Sequence, residues 1–477
     1  MVAERIAPLI AATDIDTVES GFDLQRKAFE AEPYPSVAVR RDRLDRLERA
    51  LRRHEAEIRD AISADFGHRS HEETLLFEQF LCIEGIRHAR SHLRRWMRPE
   101  RRRVAWWSLP GRARVLYQPL GVVGVIVPWN YPLFLAVGPI IPALAAGNRV
   151  MVKMSEVTPR LGDVFARIIA EAFDPAELLV VNGGVEVAKR FTALPFDHLL
   201  FTGSTQVGRE VMKAASANLT PVTLELGGKS PAIVGADFDL EEAARRIVLG
   251  KLANAGQTCV APDYALVPAQ RLADFLAACR KSASEFYPTL QSNPDYTSIV
   301  DSRHFDRLRS YVDEALGKGA TIHALHEDET SAERRRFSPV ALTGVTDDMR
   351  VMQDEIFGPI LPVIPYSSLT EAIRYIRQRA RPLALYYFGS GEDRDRILRE
   401  TISGGVTVNN TLFHVAQEDL PFGGIGPSGI GAYHGVEGFR TFSKAKPVYY
   451  DNRLSGSVLL RPPYGRLFRL VTRLLYR

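Results

Sequence analysis

Cysteine is scarce in this chain. Only Cys82, Cys259 and Cys279 occur among 477 residues, an odd, thin set that argues against a disulfide framework and for a reducing compartment. No two have the close spacing of a zinc site, so no metal centre is expected. Also missing is any run of about 20 apolar residues able to span a bilayer. Met1 to Thr13 has no signal-peptide core, and a cytoplasmic location is expected. Acids are absent from Arg453 onward, where six Arg stand. Removing those six charges from the net +4 leaves a body at −2. A mildly acidic body gives nucleic-acid binding no support from charge. No internal repeat or low-complexity linker is present either.

What is present reads as an ordinary globular protein. Apolar residues make up 45% and charged residues 25%, and the length calls for two or more domains. Leu44, Leu47, Leu51, Ile58 and Ile62 recur at helical spacing, which predicts one amphipathic helix ending near Asp65-Phe66-Gly67. That triplet matches a kinase metal-binding motif, but no glycine-rich loop accompanies it, so a helix end is the better reading. Residues 101–118 carry two apolar runs around Pro110-Gly111, predicting a hairpin whose Trp106 and Trp107 meet a partner subunit.

From Val122 the chain alternates β-rich runs with helical segments. The runs are Val122–Val127, Arg149–Val152, Leu178–Val181, His198–Phe201 and Pro221–Leu224, with helical period in Gly162–Phe173 between them. A second such set extends from Ser230 to Asn410, with a helix near Leu240–Leu252 and strands near Tyr264–Val267, Ile360–Ile364, Ala384–Tyr387 and Val406–Asn409. This alternation predicts an α/β fold with parallel sheets covered by helices.

Six short stretches carry the chemistry. Cys259 stands among small residues in Gly256-Gln257-Thr258-Cys259-Val260-Ala261-Pro262, with room for a thiolate to attack, although a lone cysteine beside Val and Ala is more often a small buried hydrophobe. Asn130, between Pro128 and Pro132 after a strand, can aim its amide at a developing oxyanion or form a simple Asx-turn. Lys153 and Glu156 follow another strand and suit the hydroxyls of a ribose, or form a solvated pair. Ser204, in Gly203-Ser204-Thr205-Gln206-Val207-Gly208, is an N-cap that opens a helix N-terminus to a pyrophosphate. Glu225 ends a buried strand before Leu226, Gly227 and Gly228; an apolar surround would raise its pKa and suit it to general-base work, against the alternatives of a cap or a salt bridge to Lys229. Glu355 and Phe357 flank a Gly-Pro turn.

Taken in order, these stretches resemble the aldehyde dehydrogenase superfamily over about Leu44 to Pro447. The most specific motifs are Glu225-Leu226-Gly227-Gly228-Lys229 and Gly256-Gln257-Thr258-Cys259. Finer features resemble the class 3 branch and its coniferyl aldehyde dehydrogenase group: Gly256 to Tyr264, Leu420-Pro421-Phe422-Gly423-Gly424-Ile425-Gly426, and Gly429 to Gly435. One departure is Met154, where many members have Pro.

The resemblance implies NAD(P)-dependent oxidation of an aldehyde. Cys259 would attack the aldehyde carbon, Asn130 and the Cys259 N–H would hold the oxyanion, and Glu225 would activate water to hydrolyse the thioester. Lys153, Glu156, Gly203, Ser204, Gly208, Leu226, Glu355 and Phe357 would hold the nucleotide, with Glu156 favouring NAD over NADP. Tyr131, Phe357, Phe413 and Phe422 suggest an aromatic entrance suited to phenylpropenals, benzaldehydes or medium-to-long aliphatic aldehydes.

It also implies a homodimer and three parts with a tail. A Rossmann-like cofactor domain would take 1–100 and 119–225, and a β/α catalytic domain 226–440. Residues 101–118 and 441–456 would form an oligomerisation arm, with a late strand near Lys446–Tyr450, and 457–477 a basic amphipathic tail. Two alternatives are a CoA-acylating enzyme, which does not need Glu225 as a base, and a catalytically silent protein on this fold. In the tail, Leu467, Leu470, Val471, Leu474 and Leu475 share one helical face and Arg466, Arg469, Arg473 and Arg477 the other. Docking of that apolar face on the enzyme body or a neighbouring subunit is expected ahead of contact with an anionic membrane surface.

Overall fold

The computed structural model describes residues 14–454 and 462–476. The absence of a leader at Met1–Thr13 and part of the tail assignment fall outside these residues. Two parallel-rich sheets and a small antiparallel one organise the chain.

The first sheet contains β3 (Val122–Ile126), β4 (Arg149–Lys153), β5 (Leu178–Val181), β6 (His198–Gly203) and β7 (Val222–Leu226). Strands β3 and β4 are buried along their whole length, the unalternating pattern of parallel strands covered on both faces. The order is β15-β7-β6-β3-β4-β5. The chain runs outward from β3 through β4 to β5, then returns to the other side of β3 as β6. Such a reversal leaves a crevice at the carboxyl ends of β3 and β6, where ligands bind in doubly wound sheets.

Its sixth strand is β15 (Gly429–Ile430), antiparallel to β7 with Gly429 opposite Glu225. A late segment of the stretch 226–440 thus crosses back and closes the edge of the first sheet. No local pattern marks so short a strand.

The second sheet runs β10-β11-β12-β9-β8-β13-β14. Its members are β8 (Pro231–Val234), β9 (Tyr264–Pro268), β10 (Thr321–Ala324), β11 (Val340–Thr343), β12 (Ile360–Tyr366), β13 (Ala384–Phe388) and β14 (Gly405–Val408). The arm joins β1 (Glu100–Arg102), β2 (Arg112–Pro119) and β16 (Ser443–Tyr450), all antiparallel. Trp106 and Trp107 stand 68% and 59% exposed in the β1–β2 connection.

The helix expected across Leu44–Ile62 is two helices, Val37–Arg53 and Glu55–Phe66. His54 breaks the turn at φ −110°, ψ 22° while the apolar face runs on, so periodicity alone could not see the break. Gly67 ends the second helix at φ +76°. One large apolar cluster joins the N-terminal helices to both sheets. A smaller cluster lies where the helix Ile15–Ala31 covers the first sheet with Val18 and Phe22.

In the tail, Arg466–Leu475 is helical, as its spacing predicts. The expected docking of its apolar face on the enzyme body is not observed: Leu467, Leu470 and Leu474 are 59%, 59% and 66% exposed. Among the described residues no helix is long and apolar enough to cross a membrane.

Candidate active site

A cavity of about 210 Å³ opens at the β3/β6 reversal and reaches the second sheet. Asn130, Gly203, Ser204, Glu225, Leu226, Cys259, Glu355, Phe357 and Phe422 all line it. One wall is made of strand ends: Asn130 follows β3, Ser204 follows β6, and Glu225 lies within β7. The opposite wall is loop, carrying Cys259 ahead of β9 and Glu355 ahead of β12.

Glu225 is buried and neither carboxylate oxygen has a hydrogen-bond partner. Burial alone lifts its carboxyl well above the usual range. The salt bridge that would have made it structural is taken elsewhere, because Lys229 pairs with Asp263 and donates to the Val351 carbonyl. Its oxygens are thus left to meet whatever occupies the cavity.

Asn130 is not closing a local turn. Its Nδ2 donates to the Gln257 carbonyl at 3.2 Å, tying the strand-end wall to the nucleophile loop. Cys259 is half-buried, whereas Cys82 and Cys279 are buried outright. Burial pushes the Cys259 thiol up to about 12, with Glu355 and Glu225 adding in the same direction. The backbone at Cys259 and Val260 partly opposes this. Glu355 is itself raised to about 8, first by burial and then by Asp263.

Ser204 caps the helix Thr205–Ser216 through the Val207 N–H at 3.3 Å, so capping and a free helix N-terminus coexist there. Gly208 lets that helix lie against Leu226, whose Cδ2 is 2.6 Å from where a Cβ would stand. A Cβ at Gly227 would collide with the Glu355 carboxylate. Lys153 is buried at the end of β4, where its Nζ donates to the Met154 carbonyl at 2.6 Å and lies 3.8 Å from Glu156. Burial lowers its pKa and Glu156 partly restores it. Lys153, Glu156 and Gly208 do not line the cavity.

Two residues expected at the substrate entrance are elsewhere. Tyr131 is buried behind the wall, with its hydroxyl 2.9 Å from Thr258 and its ring 4.7 Å from the Arg69 guanidinium. Phe413 is 55% exposed and off the cavity. Aromatic character in a loop sequence does not say which way a ring turns. The aromatic wall comes instead from Trp129, which meets Phe357 edge-on at 5.3 Å and His304 at 4.9 Å. Phe357 sits at φ +52°, a left-handed setting rare for a bulky residue and of a kind that concentrates at functional sites. Trp129 was within reach of the sequence, being next to Asn130. His304 and Arg307, also on the cavity, are on a distant helix with no local signature.

Relatives carry the same arrangement of chain. A sequence model described as "Aldehyde dehydrogenase family" matches residues 4–448. A probable coniferyl aldehyde dehydrogenase of Pseudomonas aeruginosa is 52% identical, covering all of both chains. The substrate-bound state of Staphylococcus aureus AldH superposes with TM-score 0.91 at 38% identity, covering 96% of this chain and 99% of that one. A Mycobacterium tuberculosis aldehyde dehydrogenase complexed with NAD+ gives TM-score 0.83 at 29% identity, covering 94% and 92%. With fold, site and relatives in agreement, the chain belongs to the aldehyde dehydrogenase family, oxidoreductases acting on aldehydes.

Proposed function

We propose that the chain oxidises an aldehyde to its carboxylate with NAD or NADP, through a covalent intermediate on Cys259. The observation that carries this reading is the unpartnered Glu225 carboxylate on the same cavity as Cys259 and Asn130. Cys259 adds to the aldehyde carbon and its proton leaves to solvent or to Glu225. Asn130 Nδ2 has one hydrogen on Gln257 and a second to offer the oxygen of the thiohemiacetal. A nicotinamide held beside Glu355 and Phe357 would supply the hydride acceptor. Glu225 then takes a proton from water as it attacks the thioester, and Cys259 is released.

The residues present fit a dinucleotide. Ser204 and the helix N-terminus at Thr205 face a pyrophosphate, Lys153 and Glu156 suit the hydroxyls of one ribose, and Glu355 with Phe357 the other ribose and the ring. Glu156, about half exposed beside Lys153, opposes a 2′-phosphate and favours NAD. We assign 14–100 and 119–225 to the cofactor domain, 226–440 without β15 to the catalytic domain, and the β1-β2-β16 sheet to the arm. Its β16 edge and exposed Tyr449, Tyr450, Trp106 and Trp107 suit pairing with a second copy. Three free cysteines fit the cytoplasm. The uncovered Leu467, Leu470 and Leu474 over an all-Arg face now favour contact with an anionic membrane surface above docking on protein.

Phenylpropenals are the substrate class we favour, on the relative's printed name and the walls made by Trp129, Phe357 and Phe422. A panel of coniferyl, benzyl and aliphatic aldehydes, each with NAD and with NADP, tests this. Highest kcat/KM on a short aliphatic aldehyde would contradict it. A CoA-dependent release is disfavoured by the free Glu225 carboxylate; product formation that required CoA would restore it.

A further inference from the structure

The turn before the nucleophile is strained. Asn254, Ala255 and Gly256 are successively left-handed, at φ 52°, 51° and 78°. Glycine accepts this freely, asparagine tolerates it, and alanine does not. Ala255 is fully buried, so neither solvent nor its own preference keeps it there.

What holds the turn comes from far upstream. Both oxygens of the Glu73 carboxylate accept the Asn254 N–H at 3.1 Å, and one also accepts the Thr297 hydroxyl at 2.9 Å. The Asn254 side chain donates to the Asn130 carbonyl at 3.0 Å and to the Gln257 carbonyl at 3.2 Å. Arg69, with no exposed surface, donates to that same Asn130 carbonyl at 2.8 Å and pairs with buried Glu78 at 2.9 Å. Glu78 in turn accepts the Leu133 and Phe134 N–H groups at 2.8 and 3.1 Å.

A purely structural staple is the bland explanation. Buried charges usually stabilise a fold less than apolar groups of the same shape. Here the side-chain hydrogen bonds of the cluster run to the Asn130 loop and the helix start that follows it, to the Asn254 turn, or to Thr297. Burial raises both carboxyls, and the Arg69 charge counters it in each.

We propose that Glu73 and Arg69 are positioning residues that lock the Asn254–Gly256 turn to the Asn130 loop, so that nucleophile and oxyanion donor sit in one rigid frame. This rests on the roles assigned above to Cys259 and Asn130. Glu73→Gln leaves one acceptor oxygen for the Asn254 N–H and the Thr297 hydroxyl to share and removes the charge that faces Arg69, which loosens the turn. The NADH burst rate is then expected to fall about 10- to 100-fold, with the NAD dissociation constant within about twofold of wild type. Thr297→Val removes one bond to Glu73 and should cost about two- to fivefold.

The discriminating variant is Ala255→Gly placed in the Glu73→Gln background. Glycine takes the left-handed setting without help, so the burst should recover by about threefold or more. Relief of strain also stabilises the fold, so the burst is read at a temperature well below the Tm of every variant. A parallel readout is the rate of Cys259 alkylation by iodoacetamide, mapped by mass spectrometry without nucleotide. It should change at least about fivefold in Glu73→Gln and return with Ala255→Gly. A burst and an alkylation rate within twofold of wild type in Glu73→Gln, or no recovery with Ala255→Gly, overturns the inference. If the wild type makes no NADH, the functional reading fails, and the positioning role is decided by alkylation alone.

Discussion

Asn130, Ser204 and Glu225 are carried by the ends of neighbouring parallel strands, whereas Cys259 follows a left-handed turn, Asn254–Gly256, with no strand beneath it. The first wall is cheap to build. Apolar runs make the strands, the crossover reverses at β3/β6, and the crevice follows from topology. The second wall needs backbone strain and a buried charge network, and in return it sets the Cys259 sulfur on the cavity that Asn130 lines from the first wall. The teaching is that one side of the site is specified locally and the other by contacts distant in sequence.

The largest expected effect removes the reacting atom from the second wall. Cys259→Ser should cut turnover by about 10⁴-fold or more, since an alcohol without an adjacent base is a poor nucleophile. Circular dichroism and NAD binding should be unchanged; turnover near the wild-type rate would mean the nucleophile lies elsewhere.

On the first wall, Glu225→Gln should slow the steady state by about 10²–10⁴-fold while sparing the first turnover. A steady state equal to wild type would assign the base to another group.

A smaller effect joins the two walls through pH. Burial raises the Glu225 carboxyl and the Cys259 thiol alike, so the deprotonated, reactive forms grow as pH rises. The log of kcat/KM should climb between pH 6 and 9 with a slope of up to about one per unit. Stability should move the opposite way. Glu355, raised from 4.5 to about 8, binds its proton more tightly folded than unfolded, so its contribution is intact below about 4.5 and lost as pH rises through 8. Glu355→Gln should flatten the fall in Tm over that window; an unchanged slope would show that Glu355 is already ionised.

The smallest effect lies outside both walls. Deleting 462–477 should leave KM unchanged for bulky and small aldehydes alike and abolish co-sedimentation with anionic vesicles. A raised KM for bulky aldehydes alone would return the tail to the substrate entrance.

How much of this was legible follows the same divide. The strand runs from Val122 to Leu224 and the helix Leu240–Leu252 could be read from period and composition, because one apolar pattern served one element. Glu73 and Glu78 could not. A π-helical turn at Leu75–Phe80 shifts the register, so Glu78 is buried while Leu76 and Phe80 are 54% and 50% exposed. A helical-wheel reading inverts the true inside and outside there. Tyr131 and Phe413 failed for a related reason: residue type suggested a lining, and side-chain direction decided against it.

The central claim is that Cys259 carries the substrate carbon and Glu225 releases it. Glu225→Gln mixed with NAD and coniferyl aldehyde, quenched in acid during steady turnover and digested, tests it most directly. The account predicts that peptides containing Cys259 carry the acyl mass in near-stoichiometric amount, and that Cys82 and Cys279 peptides do not. Product formation with Cys259 unmodified, or an adduct on another residue, would contradict it.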